Sequence, residues 1–409
     1  MEPELSAPSP ADIRRAAAAG AGLVRETPVL SSRTLGERCG GTIALKTENL
    51  QRTGSFKLRG ALAKLAALGD RCVAGVVTAS AGNHAQAVAY AAKARGVPCE
   101  VFMPEIAPIS KIEAVTALGA RVSFAGVSVE ECLSAAHERA ASGELAFVHP
   151  FDDVDVIAGQ GTIGLELLAQ IDDLSLVVVP IGGGGLASGV AIALKAEVPG
   201  IRVVGVQVES YASVAASLEA GHPLAVLPAL TIADGIAVKH PGELTLPLLA
   251  RWVDEVVVVS EDEVAEAMAF LLVRAKLVVE GAGAVGVAAL LAGRVAGATS
   301  GTTAAILSGG NVDAGLVAQI ARRHETQAGR RLVVLARIPD RPGSLARLLR
   351  LVGAAGANLL DVQHVREGIE LHVRETAVQT VLETRGREHS DEVVRVIRES
   401  GYEPRVVVR

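Results

Sequence analysis

The chain has 409 residues, half of them hydrophobic but only 2% aromatic, and a formal net charge of −6. That length predicts two or three domains with aliphatic cores, and the acidic balance leaves no basic field to hold a nucleic acid. The longest uncharged run, Leu174–Leu194, spans twenty-one residues but contains Pro180, Gly182–Gly185, Ser188 and Gly189, so it reads as strand, loop and helix rather than as a membrane span.

The start, Met1-Glu2-Pro3-Glu4, has no apolar run, and no secretory signal is expected. Residues 1 to about 12, with Pro3, Pro8 and Pro10, read as a loose tail. Short β-branched runs then alternate with Ala/Leu-rich helical runs to about residue 320. Strands are expected at Val73–Thr78, Glu100–Met103, Arg121–Phe124 and Ala146–His149. Helices are expected at His84–Arg95, Ser110–Leu118 and Val129–Ala141. Further strands follow at Leu176–Ile181, Arg202–Val208, Glu255–Val259 and Ala304–Leu307, with helices from Leu186 and Glu261. Near-continuous apolar strands alternating with helices predict a parallel sheet covered on both faces. Such sheets place ligands beyond the carboxyl ends of their strands.

Around 322–331 the pattern breaks into a charged connector. Residues 331–409 hold no lysine, 13 arginines and 11 acids, and are ordered strand, helix, strand, strand, helix, strand. That βαββαβ order predicts a small separate domain, either a structural or dimerising appendage or a ligand-sensing module. Four cysteines (Cys39, Cys72, Cys99, Cys132) lie far apart with no CxxC pair, which fits free thiols in a reducing cytoplasm.

Four segments could carry chemistry. Lys57, one of only eight lysines, sits in Thr53-Gly54-Ser55-Phe56-Lys57; a desolvated lysine can form a Schiff base, although local sequence alone favours a lysine that solvates a helix start. Ser80-Ala81-Gly82-Asn83-His84 follows a strand and opens a helix, a place for an anion or for an ordinary cap with Asn83 as N-cap. Gly182–Gly185 and Leu186 follow an apolar strand. Bare backbone there can approach one phosphate, and no Walker or GxGxxG pattern is present. Ser308, at another strand end, could meet a ring nitrogen or be a turn serine.

In order and spacing, Ser55-Phe56-Lys57, Ser80–His84, Gly182–Gly185 and Ser308-Gly309-Gly310 resemble the threonine dehydratase (threonine ammonia-lyase) family. Ala233–Val238 and Glu280–Ala284 are similar to that family's segments as well. The family belongs to the tryptophan-synthase-β-like, fold type II, pyridoxal-phosphate enzymes. The resemblance covers about residues 20–320, and the stretch Arg337–Gly343 resembles the ACT-like domain of single-ACT dehydratases. It implies an α/β catalytic domain over 1–325, with a smaller lobe at roughly 55–150, and an ACT-like regulatory domain over 326–409.

The resemblance also implies roles for residues. Lys57 would carry pyridoxal 5'-phosphate and remove the α-proton. Gly182, Gly183, Gly184, Gly185 and Leu186 would hold the phosphate, with Phe56 beside the cofactor. Asn83 would meet the ring hydroxyl and Ser308 the ring nitrogen. Ser80, Ala81, Gly82, Asn83 and His84 would hold the substrate carboxylate. The implied reaction is β-elimination from threonine to 2-oxobutanoate and ammonia, and from serine to pyruvate; a serine- or 3-hydroxyaspartate-preferring dehydratase and a non-catalytic ACT-type sensor are the alternatives. Serine racemases of the group carry a second serine where this chain has Ala81, so negligible racemisation is expected. Glu209 matches one cation ligand of some relatives, but Ala215 stands where a second acid would be, and no metal is expected. The expected partners are a small hydroxy-amino acid and, at the ACT-like domain, isoleucine or valine. A cytoplasmic homo-oligomer, dimer or tetramer, is expected.

Overall fold

The structure is a computed structural model that describes residues 7–367 and 370–408. It divides into two compact units, 1–312 and 313–409. The break falls before the charged segment rather than at 325, because Arg322, Arg323, His324 and Glu325 lie inside a helix, Ala314–Gln327. The expected loose tail is also shorter than its prolines suggested. Ser9 and Asp12 form a reciprocal capping box, and Pro10 occupies the first turn of a helix, Pro10–Gly20. Pro3 and the acidic start lie outside the described residues.

The first unit holds two sheets. Strands β1 (Val29–Ser31), β2 (Thr42–Lys46), β7 (Leu174–Pro180), β8 (Arg202–Val208), β9 (Glu255–Val259) and β10 (Thr302–Ile306) form one, in the order β1-β2-β10-β7-β8-β9. All its pairings are parallel except β1 with β2. The central strands are buried along nearly their whole length: Val177, Val178, Val179, Ala304, Ala305 and Ile306 are each 0% exposed. This is the double coverage that gave Leu174–Leu194 its membrane-like hydropathy, and among the described residues no helix is long and apolar enough to cross a membrane. The smaller sheet comprises β3 (Val76–Ala79), β4 (Cys99–Met103), β5 (Arg121–Phe124) and β6 (Ala146–Phe147), ordered β5-β4-β3-β6 and wholly parallel. The strand expected from Val73 begins later, because Gly69–Cys72 forms a 3₁₀ turn and Val73 is exposed.

The helix that starts at Lys57 (Lys57–Leu68) is held from behind by buried charge. Arg59 donates to Glu48 at 2.7 and 2.8 Å and to Glu166 at 2.6 and 2.9 Å. Lys46, fully buried at the end of β2, donates to the same Glu166 at 2.5 Å. Such charges survive out of water only when each is paired and hydrogen-bonded. The network therefore pins Lys57's helix to β2 and to the helix Val154–Gln170. Those two helices pack closely: a Cβ on Gly159 would lie 2.6 Å from the Gly60 Cα, so glycine here is a packing requirement.

The second unit has the expected βαββαβ order: β11 (Arg331–Pro339), helix Ser344–Ala354, β12 (Asn358–Val365), β13 (Glu375–Glu383), helix Arg387–Glu399 and β14 (Arg405–Val408). Its antiparallel sheet runs β12-β13-β11-β14. Leu348, Val352, Val393 and Ile397 from the two helices pack on Leu332, Val334, Val378 and Leu382.

Candidate active site

The carboxyl ends of β7, β10 and β3 converge on one cavity in the first unit. Phe56, Lys57, Asn83, Gly182–Gly185, Leu186 and Ser308 all border it. Backbone pairing brings two of these segments together. Ser55 and Gly309 form an isolated antiparallel bridge, the Phe56 N–H donates to the Ser308 carbonyl at 3.0 Å, and that of Gly310 donates to Gly54 at 2.9 Å. Ser308, from the end of β10, is thereby set beside Lys57.

Lys57 occupies the first helical position, where the helix dipole disfavours a cation. Its Nζ donates to the Pro150 carbonyl at 2.7 Å. Burial lowers its pKa to about 8, against the opposing pull of the Glu280 carboxylate. Much of the amine is therefore neutral in mildly basic solution, as a nucleophile or proton acceptor requires.

The glycine loop is forced to be glycine. A Cβ on Gly183 would strike the Phe151 ring, and one on Gly185 would lie 2.7 Å from the Phe151 carbonyl. Gly184 is left-handed at φ 94°, and its Cβ would meet Thr245 and Leu249 at 2.9 Å. The loop is braced from outside as well. Thr245 Oγ1 donates to the Gly183 carbonyl at 2.6 Å, and Asp152 accepts the N–H groups of Glu243, Leu244 and Thr245 at 2.9–3.1 Å. The helix Gly185–Glu197 begins here without a side-chain cap. Its first N–H groups thus have no intrahelical acceptor, and Gly182, Gly183, Gly184, Gly185 and Leu186 line the cavity. Ser308 Oγ is 2% exposed and has only a long 3.4 Å contact to the Ala282 carbonyl, which leaves it free for a ring nitrogen. A buried lysine, an anion cradle of bare backbone and an under-used hydroxyl on one cavity fit pyridoxal phosphate.

The segment at 80–84 behaves differently from the expectation. The helix starts at Asn83, and Gly82, not Asn83, is its N-cap. Ser80 Oγ accepts from the Gly82 N–H at 3.0 Å. His84 is 3% exposed; its Nε2 pairs with the Val148 carbonyl at 3.0 Å, and burial lowers its pKa to about 3. Its imidazole is committed to the core and stays neutral, so only its N–H can serve the helix-end anion site. Of the five residues assigned to the substrate carboxylate, Asn83 alone borders the cavity.

Glu209 lies in a short turn after β8, and its Oε1 accepts from the Glu261 N–H at 3.4 Å. The Ala215 N–H donates to Gln207. Among the described residues no three His, Cys, Asp or Glu side chains converge on a metal position.

Sequence reading missed Pro150, Phe151 and Gln160, which also line the cavity, and gave no role to Ile236 within the singled-out segment Ala233–Val238. Gln160 had a weak signal, a polar residue flanked by Gly159 and Gly161 in the helix Val154–Gln170, and its Oε1 accepts the Gly60 N–H at 3.2 Å. Phe151 had none, since only the fold brings it against Gly183. Glu280, 4% exposed, borders the cavity and accepts from Asn83 Nδ2 at 2.7 Å. Burial, with the Asp234 carboxylate adding, raises its pKa to about 7.

Residues 21–309 match the family described as "Pyridoxal-phosphate dependent enzyme". The chain is 45% identical to an L-threonine ammonia-lyase of Thermotoga maritima over 397 residues, covering 97% of this chain and 98% of that one. Among solved structures it is similar to the processed form of threonine deaminase isoform 2 from Solanum lycopersicum (33% identity, TM-score 0.71, 77% of this chain and 89% of that one). It is also similar to maize serine racemase (38% identity, TM-score 0.73, 79% and 99%).

Proposed function

The chain belongs to the pyridoxal-phosphate-dependent enzyme family, and on that premise we propose that it is an L-threonine ammonia-lyase that also deaminates L-serine. The observation that carries this reading is the near full-length identity to a threonine ammonia-lyase, both units included. The cavity with Lys57 at its wall supports it.

In this reading Gly182–Gly185 and Leu186 would hold the cofactor phosphate, Asn83 would donate to the ring hydroxyl and Ser308 would meet the ring nitrogen. A hydroxyl cannot hold that nitrogen as a cation in the way a carboxylate does, which favours loss of a β-leaving group over transamination. When bound, the cofactor supplies the electron withdrawal that acidifies the substrate α-C–H. The Lys57 amine, which burial makes easier to deprotonate, would take that proton. The backbone N–H groups at the helix start at Asn83, which borders the cavity, would hold the substrate carboxylate. With the β-hydroxyl leaving as water and one water taken up in hydrolysis, threonine would give 2-oxobutanoate and ammonia, and serine pyruvate and ammonia. Steady-state release of 2-oxo acid from L-threonine, L-serine and 3-hydroxyaspartate tests the assignment. Threonine is expected to give the highest kcat/KM, and a higher value for either rival would reassign the enzyme within the family.

Ala81 separates this chain from a racemase, because alanine can neither give nor take a proton on the face opposite Lys57. Chiral analysis of L-serine reactions is expected to show no D-serine beside the pyruvate; D-serine forming at a comparable rate would refute the assignment. For the βαββαβ unit we infer an ACT-like role that binds isoleucine or valine, in a cytoplasmic homo-oligomer, dimer or tetramer. The supports are the strand order and the free state of all four cysteines. An effector must bind two states unequally to act, so isoleucine should shift the threonine saturation curve.

A further inference from the structure

Glu280 and Asn311 have no part in the chemistry above, yet they grip Asn83 from both sides. Asn311 Nδ2 donates to the Thr53 carbonyl at 2.8 Å and to Asn83 Oδ1 at 2.7 Å. Asn83 Nδ2 in turn donates to Glu280 Oε1 at 2.7 Å. The chain of bonds has one direction only. The Thr53 carbonyl can only accept, so the Asn311 amide must turn its NH₂ towards it. The second N–H of that amide then faces Asn83 Oδ1, which leaves the Asn83 NH₂ pointing at Glu280. One Asn83 N–H is satisfied by the carboxylate, and the other is left over at the cavity wall. The backbone makes room for this arrangement: a Cβ on Gly309 would collide with Glu280 Oε1, and one on Gly235 would lie 3.3 Å from it. The Glu280 N–H is itself anchored to the Gly309 carbonyl at 3.1 Å.

We propose that Glu280 and Asn311 are positioning residues that clamp the Asn83 amide, so that its remaining N–H is presented to the cofactor's ring hydroxyl. This rests on the reading of the cavity as a pyridoxal-phosphate site. The role proposed for each is its hold on Asn83; Glu280 also borders the cavity. Freeing the amide costs the hydrogen bond to the ring hydroxyl, so each loss should weaken cofactor binding about tenfold.

A double-mutant cycle tests the clamp. The readouts are the dissociation constant of the apoprotein for pyridoxal 5'-phosphate and the position of the bound cofactor's visible band. Asn83→Ala and Glu280→Ala should each weaken binding about tenfold and shift the band. The double variant should be no weaker than either, because both act on one hydrogen bond. Glu280→Gln, which keeps a carbonyl acceptor for Asn83, should stay within about threefold of wild type. If Glu280→Ala does not fold, the same cycle with Asn311→Ala is decisive. Losses that multiply, or a Gln variant as weak as the Ala variant, would overturn the clamp alone. A wild-type protein that takes up no cofactor would overturn the site reading as well.

Discussion

Lys57→Ala is expected to fold and to lose turnover by on the order of 10⁴-fold or more, together with the visible absorption of lysine-bound cofactor. No other amine can substitute, because Lys57 is the lysine that borders the cavity. Lys57→Arg should fail equally, since a guanidinium stays charged and forms no Schiff base under these conditions. The two variants together separate loss of the amine from loss of charge. The wild-type residue also sets a pH dependence. In the apoprotein the protonated amine cannot attack the cofactor aldehyde, and burial lowers its pKa to about 8. Reconstitution should therefore quicken as pH rises through about 8 and level off above it. Thermal unfolding of Lys57→Ala checks that the fold survives. Residual turnover above a hundredth of wild type would remove Lys57 from the chemistry.

The second large effect is expected at the glycine loop. Gly183→Val places a branched side chain where the Phe151 ring already lies. Either Phe151 moves or the loop does, and Thr245 holds the loop by the Gly183 carbonyl itself. Overpacking of this kind typically costs about 1–3 kcal/mol, and the displaced N–H groups also lose the phosphate. Affinity for pyridoxal 5'-phosphate should fall by about a hundredfold or more. Equilibrium titration of the apoprotein reads this directly. Phe151→Ala should partly relieve the defect in the double variant, since it removes the group that the new side chain meets. Undiminished affinity in Gly183→Val would mean that the loop does not cradle the phosphate.

Much of this site was legible because its parts are local. Four glycines between an apolar strand and a helix have few uses, and a lysine is rare in a chain with eight of them. In the smaller sheet the glycines Gly96 and Gly119 mark the ends of the helices that precede β4 and β5, and the βαββαβ unit could be read in order. What escaped depends on contacts distant in sequence. Phe151 matters only because folding sets it against Gly183, and Glu280 only because Asn83 comes to it across the cavity. The His84 ring is packed in the core against the Val148 carbonyl, so at the anion site only its backbone N–H remains. The break expected near 322–331 followed charge, whereas Arg322–Glu325 continue the helix Ala314–Gln327 with Ile320 and Thr326 buried.

Every role assigned above depends on one reaction. The most direct measurement is the stoichiometry of products when the purified, cofactor-loaded protein is given L-threonine alone. The account predicts one 2-oxobutanoate and one ammonia per threonine consumed, abolished in Lys57→Ala. Threonine left intact, or consumed without 2-oxobutanoate, would contradict it.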